Sequence, residues 1–260
     1  MRPGAAEVRH RPLGSTGIDV SILGLGTVKL GRTEQVKYPR PFRLPDDAAA
    51  RALLDCAAEL GINLLDTAPA YGSSETRLGG LLRGRRHDWV LCTKVGEEFE
   101  QGRSRFDFSA GHVRRSVERS LERLATDYLD VVLIHSDGRD LDILDRGEVL
   151  ETLLSLKEAG WIRAVGMSHK TEAGGRRALA LGCDVIMATL SLDDDRESDL
   201  IAEAGQRGRG VLVKKALASG RAGVDSLRFA AAQPGVSSVV VGTVDPEHLR
   251  ANARALEELP

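Results

Sequence analysis

Short apolar runs alternate with amphipathic stretches along almost the whole chain. Between most runs, apolar residues recur every three or four positions, which is typical of helices that cover one face of a sheet. Repeated alternation of this kind predicts a parallel sheet, and eight rounds favour closure into a (β/α)8 TIM barrel. An open doubly wound sheet stays an alternative. The runs typical of buried strands cover 22–26, 62–66, 89–94, 129–134, 162–167, 184–188, 210–214 and 237–241.

The helical stretches carry start and stop signals. Pro45-Asp46-Asp47 opens the first, and Gly61 follows its end. Ser109 is a candidate N-cap for the second, in which Val113, Val117, Leu121 and Leu124 share a face. Further helices are predicted over 148–159, 172–181, 197–208, 224–233 and 246–259.

The start of the chain has a different pattern. Residues 9–20 predict a β-hairpin, because Gly14-Ser15-Thr16-Gly17 is a turn signal between extended pieces. This hairpin is a candidate plug for the barrel floor. No linker or composition break follows, so residues 1–260 are predicted to form a single domain, about the size of one such barrel.

Composition excludes several classes of partner. A net charge of −2 gives no electrostatic case for nucleic acid or an anionic membrane. No apolar stretch has the roughly 20 residues of a spanning helix, and the N-terminus lacks a hydrophobic signal region. Cys56, Cys92 and Cys183 are odd in number and widely spread. They predict no metal site and a reducing, cytoplasmic location.

Polar side chains stand at the ends of three successive predicted strands. Asp66, Lys94 and His135 each stand directly after an apolar run. A buried strand requires apolar side chains, so charged or titratable groups at these positions need another explanation. In barrels of this type the C-terminal strand ends carry the chemistry. Tyr71 lies five residues beyond Asp66, on a Pro-Ala-Tyr-Gly turn that can fold back over the rim. The sequence therefore predicts one active site at the barrel mouth.

These four groups suit carbonyl reduction. A hydride that reaches a carbonyl carbon leaves an alkoxide, which needs a proton. The phenol of Tyr71, with an ordinary pKa of about 10, is a weak acid that a neighbouring ammonium would strengthen. Lys94 could supply that ammonium, Asp66 could hold it charged, and His135 could donate a hydrogen bond to the carbonyl oxygen.

The stretch from Gly61 to Glu75, GINLLDTAPAYGSSE, closely resembles the signature of the aldo-keto reductase family. Two later stretches, Leu91–Lys94 and Asp130–His135, are similar to the family's next two blocks. The resemblance implies a (β/α)8 barrel and a tetrad of Asp66, Tyr71, Lys94 and His135 with Tyr71 as general acid. It also implies a small carbonyl substrate and a nicotinamide cofactor, usually NADPH, with NADH possible.

Glycines and lysines mark the predicted cofactor end. Gly26 lets the first strand end close to a ligand, Gly242 permits close backbone approach, and Lys214 and Lys215 suit a pyrophosphate. By resemblance, Ser168 contacts the nicotinamide amide. The resemblance also implies Thr243, His248 and Asn252. The predicted cofactor-binding residues are then Gly26, Ser168, His169, Lys214, Lys215, Leu217, Gly242, Thr243, His248 and Asn252.

Several of these positions depart from the family pattern. His169 replaces an asparagine, and Met187 and Leu190 replace a glutamine and a tyrosine. Lys214-Lys215-Ala216-Leu217 stands where the family commonly has Tyr-Ser-Pro-Leu. Positions that often carry Lys and Arg around a 2′-phosphate hold Gly242 and His248, with Arg250 nearby. The preference between NADPH and NADH is therefore open.

Other interpretations compete with the reductase. Asp66 and Lys94 could form a structural ion pair, Lys94 could be the amine of a Schiff-base lyase, or the barrel could be a non-catalytic cofactor-binding sensor or subunit. Residues 29–43, with Lys29, Arg32, Lys37, Arg40 and Arg43 beside Tyr38 and Phe42, predict a substrate-rim loop rather than a nucleic-acid patch. Phe99, Phe106 and Phe108 predict an apolar pocket wall. The sequence does not determine the oligomeric state.

Overall fold

Parallel strands close into a barrel in the computed structural model, which describes residues 7–36, 38, 41–257 and 259. The strands are β1 (His10–Pro12), β2 (Asp19–Ser21), β3 (Leu23–Gly26), β4 (Leu64–Asp66), β5 (Val90–Val95), β6 (Glu97–Glu100), β7 (Arg103–Phe106), β8 (Leu129–His135), β9 (Ile162–Ser168), β10 (Val185–Thr189), β11 (Gly210–Lys214) and β12 (Ser238–Val241). The helices are α1 (Val28–Gly31), α2 (Asp47–Glu59), α3 (Ser74–Leu81), α4 (Ala110–Leu124), α5 (Asp140–Arg146), α6 (Glu148–Glu158), α7 (Glu172–Ala180), α8 (Ser198–Gln206), α9 (Val224–Ala232) and α10 (Pro246–Glu257).

The barrel runs β3-β4-β5-β8-β9-β10-β11-β12 and closes because β12 pairs with β3. Each predicted strand run overlaps one of these strands to within two residues at either end, so the TIM barrel is confirmed and the open sheet is excluded. These strands could be predicted because they are buried and therefore uniformly apolar. β5 is buried along its whole length, as is β8 up to its last residue. Within the part of the chain that the structure describes, no helix is long and apolar enough to cross a membrane.

The N-terminal hairpin closes the barrel floor, as the sequence suggested. β1 and β2 pair antiparallel, and Leu13, Ile18 and Val20 bury among inward-facing strand residues such as Val131 and Leu212. Gly14 sits at the tightest point of the turn, with φ +56°. A Cβ there would lie 2.4 Å from the backbone nitrogen of Gly210, so only glycine fits.

The predicted helix signals act where expected, with one difference. The side chain of Asp46 caps α2 by accepting a hydrogen bond from the Ala49 amide at 2.8 Å. Gly61 follows that helix with φ +72°. Ser109 occupies the N-cap position of α4, but its side chain makes no capping hydrogen bond.

Three short helices and one hairpin were not predicted: α1, α3, α5 and β6–β7. Helix α3 was not predicted because it contains Gly79 and Gly80, which lower its helix propensity. Gly79 is needed for packing, because a Cβ there would lie 2.1 Å from the Arg123 carbonyl oxygen of α4. The hairpin β6–β7 leaves the end of β5 and brings Glu97 and Phe106 to the barrel mouth.

Candidate active site

The centre of the site is a buried ion pair between neighbouring strands. Lys94 Nζ lies 2.5 Å from Asp66 Oδ1 and donates a second hydrogen bond to the Thr67 carbonyl at 2.9 Å. Burial alone would lower the pKa of Lys94, but the Asp66 carboxylate, with the Tyr71 phenol, outweighs it and raises that pKa. Lys94 is therefore held in its charged form, and two hydrogen bonds fix the position of its ammonium group.

Tyr71 completes a single 3₁₀ turn, Pro69–Tyr71, that folds back from the end of β4. Gly72 permits the sharp exit from this turn with φ +62°. The Tyr71 hydroxyl lies 3.4 Å from Asp66 Oδ2, and Lys94 Nζ lies 4.8 Å from the centre of the phenol ring. The amine of Lys94 and the phenol of Tyr71 therefore lie close together, as predicted.

The net shift of the Tyr71 pKa is opposite to the sequence-based expectation. Burial raises the pKa of Tyr71 above its usual 10, and the charge of Asp66 raises it further. Lys94 lowers this pKa, as expected, but does not outweigh the other two. The resting phenol is therefore held in its protonated form.

His135 ends β8 and faces Tyr71 across the mouth. Their ring centres are 6.4 Å apart, with the planes at 89°. His135 Nδ1 lies 3.0 Å from Glu97 Oε2. Burial lowers the pKa of His135 well below its usual range, and the positive charges of Lys94 and Lys214 act in the same direction. The imidazole is therefore neutral at physiological pH.

All four predicted catalytic residues line one cavity of about 740 Å³ at the C-terminal ends of the strands. Register explains the convergence: Asp66 pairs with Cys92 of β5, and Lys94 pairs with Leu133 of β8. Strands β7 and β10 and the segments that follow the barrel strands add to the wall. Their lining residues include Val28, Lys29, Arg32, Gln35, Tyr38, Ser104, Phe106, Lys170, Met187 and Thr189.

The predicted cofactor residues divide into two groups. Seven line the same cavity: Gly26, Ser168, His169, Lys214, Lys215, Leu217 and Gly242. Thr243, His248 and Asn252 do not line it. Thr243 and Asn252 are buried, while the exposed His248 side chain lies 3.7 Å from Asp245.

Lys214 has the most unusual environment of this group. Its Nζ donates to the Ser168 hydroxyl at 3.0 Å and to the His169 carbonyl at 2.6 Å. Burial and the neighbouring charge of Lys215 lower the pKa of Lys214 to about 7. Its charge therefore changes near neutral pH.

The side chain of His169 is enclosed behind the wall. It is fully buried, Nδ1 lies 3.5 Å from Glu197 Oε1, and a Cβ on Gly175 would meet the ring at 2.9 Å. Burial lowers the pKa of His169 to about 4. The side chain of His169 therefore does not point into the cavity. Its backbone carbonyl contributes to the site by accepting the hydrogen bond from Lys214.

The first rim loop lies over the cavity, as predicted. Lys29 Nζ lies 4.0 Å from the centre of the Tyr38 ring, and Phe42 meets Tyr38 edge to face at 5.6 Å. Lys37 and Arg40 lie outside the described residues. Phe106 lines the cavity and is 38% exposed, whereas Phe108 packs against Gly96.

Glu97 is the site residue that the sequence interpretation missed. It follows Lys94 by three positions, in a run of acidic residues that resembles an ordinary solvated surface. Strand alternation within Glu97–Glu100 would have placed Glu97 and Glu98 on opposite faces, but the strand itself was not predicted.

Comparison with known proteins shows which family the chain belongs to. The sequence profile of the aldo/keto reductase family matches residues 22–222. The chain is 32% identical to the uncharacterized oxidoreductase YqkF of Bacillus subtilis, over 96% of this chain and 94% of that protein. It is 32% identical to an NADH-specific methylglyoxal reductase of Escherichia coli, over 80% of this chain and 67% of that protein.

Solved structures show the same relationship. A Pseudomonas aeruginosa protein described as an aldo-keto reductase superposes with a TM-score of 0.89 at 53% identity, covering 96% of this chain and 94% of that one. The holo form of a Bacillus halodurans aldo-keto reductase superposes with a TM-score of 0.82 at 30% identity, covering 98% and 92%. The chain belongs to the aldo-keto reductase family, whose members found here are oxidoreductases on a TIM barrel.

Proposed function

We propose that this chain, working as one catalytic domain, reduces small aldehydes or ketones to alcohols, or runs the reverse oxidation, with a nicotinamide cofactor. The observation that carries the proposal is the contact of Lys94 and Tyr71 with Asp66 at the barrel mouth. They line a cavity large enough for a nicotinamide cofactor and a small carbonyl substrate together. A protonated phenol, a fixed cation and an open cavity therefore lie side by side.

The cavity suits a dinucleotide in charge and in shape. Gly26 and Gly242 stand at the ends of adjacent strands, and a Cβ on Gly242 would approach the Tyr38 hydroxyl to 2.5 Å. Two further wall residues, Lys214 and Lys215, supply positive charge for a pyrophosphate. Ser168, which accepts a hydrogen bond from Lys214, would hold the nicotinamide amide. When bound, the reduced nicotinamide would supply the hydride.

The family resemblance assigns the choice between NADPH and NADH to the first turns of α10. Arg250 lies 3.3 Å from Glu59 and 3.5 Å from Glu247, so carboxylates already balance its charge. His248 lies beside Asp245. These acidic neighbours oppose a 2′-phosphate, and we therefore expect no strong preference for NADPH.

Tyr71 is the proposed proton donor. Because its pKa is raised, the phenol keeps its proton until a much stronger base, the nascent alkoxide, forms beside it. Lys94 then stabilises the phenolate that the transfer leaves behind, from a position fixed by Asp66. His135, on the opposite side, orients the substrate.

Two alternatives fit this geometry less well. A Schiff-base lyase needs a neutral amine, but the pKa of Lys94 is raised by its carboxylate partner. A non-catalytic sensor would not require a phenol, a cation and a carboxylate in mutual contact. It remains the outcome if cofactor binds without turnover.

The test is a titration with NADH and NADPH by protein fluorescence, followed by turnover on a panel of carbonyl compounds. Tyr71→Phe should lose about 10²-fold or more in kcat while its cofactor affinity is kept. Tyr128→Phe is the matched control, because Tyr128 contacts Arg86 and does not line the cavity. Full activity of the Tyr71→Phe enzyme would refute the proposed role of Tyr71.

A further inference from the structure

Positive charge dominates the cavity at the barrel mouth. Among the described residues that line it, two are carboxylates, Asp66 and Glu97. Six are cationic: Lys29, Arg32, Lys94, Lys170, Lys214 and Lys215. An excess of one sign of charge in a cleft attracts ligands of the opposite sign. The cavity as a whole is therefore suited to anions.

The two carboxylates account for two of the cations. Lys94 Nζ is paired with Asp66 at 2.5 Å, and Arg32 Nη1 lies 3.8 Å from Glu97 Oε1. Neither cation is needed to balance a ligand that enters the cavity. The charge that a ligand meets comes from the remaining lysines.

Three of those lysines lie at the cofactor end. Lys214 and Lys215 are the proposed partners of the pyrophosphate. Lys29 Nζ lies 4.0 Å from the centre of the Tyr38 ring, and a Cβ on Gly242 would approach the hydroxyl of that ring to 2.5 Å. Lys29 therefore lies on the same side of the cavity as Gly242.

Lys170 lies on the other side, near the proposed substrate position. Its Nζ is 5.8 Å from the centre of the Phe106 ring, which also lines the cavity. Burial lowers the pKa of His135, and Lys170 is among the positive charges that lower it further. Among the described residues the Lys170 ammonium forms no ion pair. The nearby Asp137 carboxylate is paired with Arg139 at 2.6 Å.

The backbone that carries Lys170 is fixed from below. The buried carboxylate of Asp140 accepts hydrogen bonds from the Lys170 amide at 3.1 Å and from the Thr171 amide at 2.7 Å. The stem of the lysine passes over Gly138, where a Cβ would lie 3.7 Å from its Cδ. The ammonium is therefore presented to the cavity from a rigid base.

We propose that Lys170 is a specificity-determining residue that binds the carboxylate of an anionic substrate. The favoured substrate is an aldehyde or ketone in which an apolar group separates the carbonyl from the carboxylate. Phe106 contacts the apolar group, Lys170 pairs with the carboxylate, and the carbonyl oxygen lies at Tyr71. This assignment deepens the proposed reduction of carbonyl compounds and rests on it.

The test compares 4-formylbenzoate with its uncharged methyl ester. The measured quantity is the ratio of kcat/KM for the acid to that for the ester, because the intrinsic reactivity of the two aldehydes cancels when variants are compared. Lys170→Met should lower this ratio about three- to fivefold, the effect of one partly exposed ion pair. The change should appear in KM, since the charge binds substrate and transition state equally.

Two further variants and a change of salt complete the experiment. Lys170→Arg keeps the charge and should keep the ratio. Lys157→Met is the matched control, because it removes the same charge from a pair with Asp184 that does not line the cavity. Its ratio should equal that of the wild-type protein. The wild-type ratio should fall in about 0.5 M salt, which screens an exposed charge.

A ratio that Lys170→Met leaves unchanged would overturn the assignment, as would a wild-type ratio that does not respond to salt. Absence of turnover with both aldehydes would instead contradict the proposed function. Calorimetric titration with 4-formylbenzoate, without reduced cofactor, would then still decide the role of Lys170. Weaker binding to Lys170→Met than to Lys157→Met supports that role, and equal binding contradicts it.

Discussion

Lys94 Nζ lies 4.8 Å from the centre of the Tyr71 ring, and Asp66 contacts both side chains. The same carboxylate that fixes the ammonium also opposes ionisation of the phenol. The cation therefore does not make Tyr71 a strong acid at rest. It provides a charge that becomes useful when the phenol gives up its proton.

The raised pKa of Tyr71 predicts the pH dependence of reduction. The donor is active when protonated, which is the state below its pKa, and that pKa lies above the ordinary 10. At saturating cofactor and substrate, kcat should therefore show no loss between pH 7 and about 10. A descending limb centred well below pH 10 would mean that Tyr71 ionises in this range and would contradict the prediction.

Loss of the Lys94 charge should destabilise the fold. Lys94 and Asp66 are 1% and 4% exposed, so Lys94→Met leaves a buried carboxylate without its cation. We expect a loss of about 3–5 kcal/mol in the free energy of unfolding, measured with denaturant. Lys157→Met is the control, because its partly exposed pair with Asp184 should be worth about 1 kcal/mol or less. Equal losses in the two variants would contradict the assigned burial of the catalytic pair.

Lys214 should couple cofactor binding to proton uptake. Its pKa of about 7 leaves the amine mostly neutral at pH 8, and a bound pyrophosphate would raise that pKa by attraction. Cofactor affinity should consequently fall as pH rises above 7, with up to one proton taken up per binding event. Calorimetry at pH 8 in buffers of different ionisation enthalpy measures this uptake. Lys214→Met should abolish it, whereas uptake that persists in this variant would exclude Lys214 as the source.

Phe106, the last residue of β7, and Phe108, two residues later, should have different roles. Phe106 lines the cavity, so Phe106→Ala should raise KM for aromatic aldehydes by about three- to tenfold with little change for small aliphatic ones. Phe108 fills the space over Gly96, and Phe108→Ala should lower the free energy of unfolding by about 1–3 kcal/mol instead. Identical kinetic and stability profiles for the two variants would refute this division.

Much of the fold was readable from the sequence because the barrel strands are short, apolar and buried on both faces. Such runs keep their identity wherever they pack, and the end of each run, as at Asp66 or His135, already marks the barrel mouth. Helices with caps and a long apolar face, such as α2, could also be predicted from the sequence. The glycine-containing α3 was not, because its stability comes from packing against α4.

The sequence by itself determined the alternation of elements, the family and the set of four residues that meet at the mouth. Only the tertiary structure decided the sign of the Tyr71 shift, because burial and the distance to Asp66 are properties of the folded chain. It also decided that Thr243, His248 and Asn252 do not line the cavity, and that Glu97 reaches His135. Electrostatic effects depend on distance and solvent exposure, and neither is fixed by the order of residues along the chain.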